Sequence, residues 1–403
     1  MSPAIAALCA ALLAFAPAIA APATATQPAI RIAIDAEFGI PGSTSAQAIS
    51  LGARIAAAEI NAAGGVLGRR LEVIERDNRA VPARSANNLR ELAADRDVVA
   101  VLGGRYSPVV VEALPEVHRL GLIMLLPWSA ADSIIDNDYR PSWVFRLSLR
   151  DSWALETMVR HAAHEGARKV GLLLPNTEWG RSSRLAAETA VARSVSDDPR
   201  RALSIVTTHW YNWGDTTLLE KYVAARAGGA QAILFVANDR EGAILAREVA
   251  GLPREARIPL VTHWGITGGT FAEQVGSALG EVDLTVVQSF SFIGNRSARA
   301  RSVLAGAREL GSSGDARLIA SPVGVAHAYD LVHLLAIALR KAGVTDRAKV
   351  RDALENLGAY EGLCGRLDRP FTPQRHEALS PSHAFMARYA NDGAIERLPA
   401  RGR

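Results

Sequence analysis

Two rhythms of hydrophobic positions take turns along the chain. Short unbroken apolar runs mark strands buried on both faces; apolar residues three and four apart mark one-sided helices. Arg31-Ile32-Ala33-Ile34-Asp35 reads as a first strand, and Ser45 to Ala63 as a helix stopped at Gly64-Gly65. Leu71 to Ile74 is the next strand and Pro82 to Ala94 the next helix. Val98 to Leu102, Ser107 to Leu120 and Leu122 to Leu126 continue as strand, helix and strand. This order predicts a parallel sheet with crossover helices.

The rhythm breaks at 129–150 and then restarts. Strands are expected at Val170 to Leu174, Ala202 to Thr208, Gln231 to Val236 and Ile258 to Thr262. Helices are expected between and after them, at Gly180 to Arg193, Thr216 to Ala227 and Glu241 to Ala250. Val323 to Lys341 is a long apolar helix and Thr345 to Leu357 a second one; Gly362 to Asp368 and Ala384 to Tyr389 read as short strands. A break followed by a second complete set predicts an α/β protein with two successive parallel sheets.

Parallel sheets place ligands outside the carboxyl ends of their strands. Those ends read Asp35-Ala36-Glu37-Phe38, Arg105-Tyr106-Ser107, Pro127-Trp128-Ser129, Asn176-Thr177-Glu178-Trp179, Ala237-Asn238-Asp239 and His263-Trp264-Gly265. A single tryptophan is most often a core residue. Three of them at strand ends, Trp128, Trp179 and Trp264, are harder to dismiss together, and a cleft lined by them suits a flat aromatic, an amide or a cation.

Composition narrows the class. The 403 residues exceed what one compact core usually holds, which agrees with two domains. The formal charge of +4 comes from scattered arginines, with no basic stripe interleaved with aromatics, so nucleic acid is not an expected partner. Residues 1–30 carry no charged side chain; Ala4 to Ala16 is apolar, and Ala18-Ile19-Ala20 has the form of a cleavage site. Residues 1–20 are therefore read as a signal peptide and the protein as periplasmic. Cleavage there leaves Cys364 as the one cysteine, which excludes an internal disulfide. No later stretch is read as long and apolar enough to span a membrane.

Enzyme signatures do not emerge. There is no G-x-G-x-x-G after a strand, no phosphate-binding loop and no G-x-S-x-G elbow. His161 and His164, with Glu165 beside them, have neither zinc-protease spacing and read as a solvated helix end. No catalytic residue, metal or cofactor is expected.

Glu59-Ile60-Asn61-Ala62-Ala63-Gly64-Gly65-Val66-Leu67-Gly68-Arg69-Arg70-Leu71 closely resembles the helix-to-strand signature of type I periplasmic binding proteins, in the leucine/isoleucine/valine-binding branch that serves ABC transporters. Asp77 with Pro82, Val101-Leu102-Gly103-Gly104 with Ser107, Gly121 to Pro127, Trp143 to Leu147 and Glu178-Trp179-Gly180 fit the same pattern. The resemblance implies two Rossmann-like lobes joined by three crossing segments, placed here near 143–150, 284–292 and 357–366. Lobe 1 would take 29–145 and 288–357; lobe 2 would take 146–287 and 358–403.

The resemblance also implies a function. The chain would be the solute-binding component of an ABC importer, a monomer that closes over a small polar or aromatic molecule and docks on a membrane permease. The alternative is a sensor component feeding a membrane kinase or cyclase. In such relatives the ligand carboxylate meets a hydroxyl at a helix start, and Ser107 takes that position, ahead of Pro108 and beside Tyr106. A second anchor would be the turn Trp128-Ser129-Ala130. Where relatives carry a glutamate for the ligand amine, this chain has Trp264; where they carry a tyrosine it has Asn238, with Asp239 alongside. Trp179 keeps the stacking position, and Ser45 at the first helix start completes the candidate set. Without a carboxylate at 264, an amine needs Asp239 or Glu178 as its partner.

Overall fold

The computed structural model describes residues 27–197, 199 and 202–399, so the leader expected at 1–20 lies outside the described residues. The first half builds β1 (Ile30–Ala36), α1 (Ser45–Ala62), β2 (Leu71–Asp77), α2 (Pro82–Ala94), β3 (Val98–Gly103), α3 (Ser107–Leu120), β4 (Ile123–Leu126) and β5 (Val144–Arg146). The strands pair in the order β2-β1-β3-β4-β5, all parallel. β3 and β4 are buried along their whole length, which is why they read as continuous apolar runs.

The second half builds α4 (Asp151–His164), β6 (Lys169–Pro175), α5 (Glu178–Asp197), β7 (Ser204–Tyr211), α6 (Leu219–Ala227), β8 (Ala232–Phe235), α7 (Asp239–Ala250), β9 (Leu260–Thr262), α8 (Phe271–Val275) and β10 (Leu284–Gln288). The chain then returns to the first lobe with α9 (Ala298–Glu309), α10 (Pro322–Ala342) and α11 (Arg347–Leu354). α10 lies so close on α1 that a Cβ at Gly52 would sit 2.1 Å from the Val325 carbonyl oxygen. By length and composition α10 could cross a membrane, contrary to the reading of the sequence, but 89% of its apolar window is buried inside this fold.

A hairpin of β11 (Tyr360–Gly362) and β12 (Gly365–Leu367) follows. It stays on the first lobe, because the buried Asp330 of α10 accepts from the Tyr360 hydroxyl at 2.8 Å and from the Leu363 and Cys364 amides at 2.8 Å each. Glu377 then bridges to Arg146 of β5. Only after that does the chain reach β13 (Phe385–Tyr389) and β14 (Ile395–Arg397), which add antiparallel to the second sheet in the order β14-β13-β10-β9-β8-β6-β7. The chain passes between the two sheets after β5 and again after β10. A third passage follows Glu377, because Asp330 and Arg146 hold the preceding segment against α10 and β5.

Candidate functional site

The carboxyl ends of both sheets face each other across a cleft. On the first lobe β3 runs into Gly104, Arg105 and Tyr106 before α3 begins at Ser107. Gly104 lets this loop approach Glu37: a Cβ there would lie 2.3 Å from Glu37 Oε2. Ser107 Oγ accepts the amides of Ala130 at 3.1 Å and Ala131 at 3.2 Å, and Ser129 Oγ donates to the Gly104 carbonyl at 2.6 Å. These bonds fasten the turn after β4 to the start of α3. They also commit the Ala130 amide and the lone pairs of Ser107 to the lobe itself. Ser45 is committed too, donating to Glu37.

The second lobe presents a stack of rings. Trp179 opens α5 and donates Nε1–H to Asp151 Oδ1 at 3.2 Å. His263 reaches the same oxygen through Nε2 at 3.2 Å and accepts the Gly265 amide at Nδ1 at 3.3 Å. These partners fix its tautomer with the proton on Nε2. Burial lowers the His263 pKa, with Asp151 opposing, so the ring stays neutral. Trp264 stacks on His263 with centroids 3.9 Å apart, while Trp179 meets it edge-on at 4.9 Å. Gly265 makes room, because a Cβ there would lie 2.6 Å from the Trp179 ring.

Charge crosses the cleft at Arg105. Arg105 Nη2 donates to Tyr106 Oη at 3.0 Å on its own lobe and meets Asp239 Oδ1 at 2.9 Å from the other. Burial works against the Arg105 charge, but Tyr106, Asp239 and Glu37 outweigh it, so the pKa is raised and the side chain stays cationic. Among the described residues Arg105 Nε and Nη1 have no hydrogen-bond partner, nor has Trp213 Nε1. Trp213 stands edge-on to Tyr106 with centroids 5.3 Å apart.

The lobes are closed on each other. The Gly268 carbonyl accepts from the Thr44 amide at 2.9 Å and the Ser45 amide at 3.2 Å, at the start of α1. Ser321 Oγ donates to the Thr267 carbonyl at 2.8 Å, and Ser182 Oγ accepts the Asp132 amide at 3.0 Å. Between them is a cavity of about 10 Å³, room for one water molecule.

Of the residues expected at the site, Tyr106, Ser107, Trp128, Ala130, Trp179, Asn238 and Trp264 line this one cavity. Asp239 stands beside it as the partner of Arg105; Ser129 and Ser45 serve the loops behind it. Arg105, Trp213 and His263 line the cavity without having been expected, and Asp151 supports its wall. Arg105 and His263 stood in the strand-end tripeptides, where a buried polar side chain is itself a signal. Trp213 and Asp151 fall in stretches to which periodicity gave no strand end.

The chain matches the family model described as periplasmic binding protein over residues 29–394. It belongs to that family. The match is to its type I, branched-chain amino acid binding branch, whose members are solute-binding proteins of the periplasm rather than enzymes. Solved structures share the fold at low identity. A type 1 periplasmic binding protein from Bordetella pertussis has a TM-score of 0.80 at 20% identity, over 92% of this chain and 100% of that one. The branched-chain amino acid transporter substrate binding protein LivJ of Streptococcus pneumoniae, in complex with isoleucine, gives 0.74 at 21%, over 92% and 99%. A solute binding protein of an ABC transporter from R. palustris, in complex with 4-hydroxybenzoate, gives 0.75 at 16%, over 92% and 96%. Among curated proteins none matches the chain.

Proposed function

We propose that this binding protein is the substrate-binding component of an ABC importer, exported by its N-terminal leader and acting in the periplasm. It closes over a small polar or aromatic molecule, amino-acid-like, carboxylate or amide, and presents the closed form to a membrane permease. It carries no catalysis of its own. One observation carries this reading: both sheets aim their carboxyl ends at a single cavity walled by four tryptophans, with backbone hydrogen bonds joining the lobes around it. The isoleucine and 4-hydroxybenzoate complexes of similar proteins agree with such a ligand size.

A thermal-shift screen over amino acids, aromatic acids, amides and quaternary amines tests it, since a ligand that binds only the folded state raises its stability. A hit should also change tryptophan emission, because Trp179 and Trp264 form the wall. Replacing Ser107, Trp179 and Trp264 together by alanine should abolish binding; full binding by that variant would refute the site.

A further inference from the structure

This inference rests on the solute-binding reading of the cleft and names the ligand's chemistry. The Arg105 side chain is 3% exposed, yet only one of its three nitrogens is hydrogen-bonded. A guanidinium taken out of water is stable only when its N–H groups are met by acceptors. Glu37 Oε1 lies 3.9 Å from Nε, beyond hydrogen-bonding reach. Among the described residues, the carboxylate that touches the guanidinium, Asp239, belongs to the other lobe. Trp213 Nε1 is a third buried N–H without a partner in the same cavity wall.

All three orphaned groups are donors, and two of them belong to one guanidinium that carries a full positive charge. Their complement is a group with several lone pairs and a negative charge, and a planar fork selects a carboxylate. Trp128, Trp179, Trp264 and the Tyr106–Trp213 pair make most of the remaining wall, beside the polar Ser107, Asn238 and His263, and suit a flat ring with polar substituents. A cavity of about 10 Å³ holds no ring, so the lobes must part to admit one. As they part, Asp239 leaves Arg105 with its own lobe, where Gln274 Nε2 already holds its other oxygen at 3.3 Å. A ligand carboxylate that takes its place carries the same charge, so the surroundings of Arg105 keep their electrostatic balance.

We infer that Arg105 anchors the carboxylate of a flat aromatic acid, and that Asp239 holds that carboxylate's position on Arg105 until the ligand displaces it. Asp239 is thus a built-in competitor. It lowers affinity for the ligand and gives the empty cleft a way to close.

Calorimetric titration of the mature chain tests this with four probes: benzoate, 4-hydroxybenzoate, the neutral 4-hydroxybenzamide and the cation benzyltrimethylammonium. At least one carboxylate should bind, and better than the amide or the cation. Asp239→Asn should bind the same carboxylate about 10-fold more tightly, a gain of one interaction-sized step. Arg105→Gln should weaken it roughly 30-fold or more, as expected when one member of a buried charge pair is removed. Arg105→Lys, which keeps the charge, should fall between the two, and unchanged far-UV circular dichroism shows that all three variants fold. Weaker carboxylate binding in Asp239→Asn, unchanged binding in Arg105→Gln, silence of both carboxylates, or preference for the amide or cation would each overturn the inference. Binding of the amide or cation with altered tryptophan emission leaves the solute-binding reading standing. Silence of these probes and of the wider screen removes both.

Discussion

Arg146 and Glu377 meet in a two-point ion pair inside the first lobe, Nε to Oε2 at 3.0 Å and Nη2 to Oε1, with Arg146 fully buried. Arg146 Nη1 also donates to the carbonyls of Ser129 at 3.1 Å and Ala131 at 2.9 Å. The pair therefore ties the C-terminal segment, β5 and a wall of the cleft together. Glu377→Gln leaves the cation buried and short of its counter-charge, and should cost about 3–5 kcal/mol in urea unfolding. Replacing both partners, Arg146→Met with Glu377→Leu, should restore most of that loss. If the single variant unfolds at the same urea concentration as the parent, the pair is not a structural tie.

Helix contact at Gly52 permits no side chain. An added Cβ would lie 2.1 Å from a backbone oxygen of α10, which cannot rotate away. Gly52→Ala should lower stability by about 1–3 kcal/mol despite the better helix propensity of alanine. An alanine variant as stable as the parent, or more so, would mean that the two helices can slide apart freely.

His327 makes acid stability partly its own. It is buried, donates from Nδ1 to the Pro127 carbonyl at 2.7 Å and faces the Ser289 hydroxyl through Nε2 at 3.0 Å. Burial pushes its pKa from 6.5 down to about 4, with the Pro127 bond opposing. Between those values the unfolded chain holds the proton and the folded one does not. Its contribution is therefore present above pH 6.5, shrinks as pH falls and is lost by about pH 4. The size is about 3 kcal/mol at most. Unfolding at pH 7 and pH 4.5 should show a smaller acid loss in His327→Gln than in the parent, and carboxylate contributions common to both cancel. Equal losses would show that His327 titrates normally.

The loop carrying Gly268 and Gly269 allows the lobes to meet. A Cβ at Gly269 would fall 2.2 Å from Asp239 Oδ2. Gly269→Ala should push Asp239 off Arg105 and hold the empty protein open, raising its radius of gyration in solution scattering. No increase relative to the parent would mean that the ion pair is not part of closure.

The fold was legible because its signals are local. The motif from Glu59 to Leu71 works within one turn: Asn61 grips Leu71 from both sides, Nδ2 to its carbonyl at 2.9 Å and Oδ1 from its amide at 2.7 Å. Gly65 has φ 76°, and a Cβ there would lie 2.2 Å from the Arg69 carbonyl oxygen. Strand ends could be read as well, and most of the cavity lining came with them. Arg105 could not be assigned its role, because its partner Asp239 comes from the other lobe and no spacing rule links them. The ties of Asp330 to Leu363 and of Arg146 to Glu377 are equally out of reach of spacing, since each joins residues more than thirty apart. β5, only three residues long, carries too few positions for any period to register.

The start of α1 has no side-chain cap; its first amides are satisfied by Gly268 of the opposite lobe. The helix is finished only when the lobes meet. Each opening therefore bares the Thr44 and Ser45 amides to solvent, and their hydrogen-exchange rates become a count of how often the cleft opens. Two backbone protons can thus serve as a clock for closure, in a protein that needs no attached label.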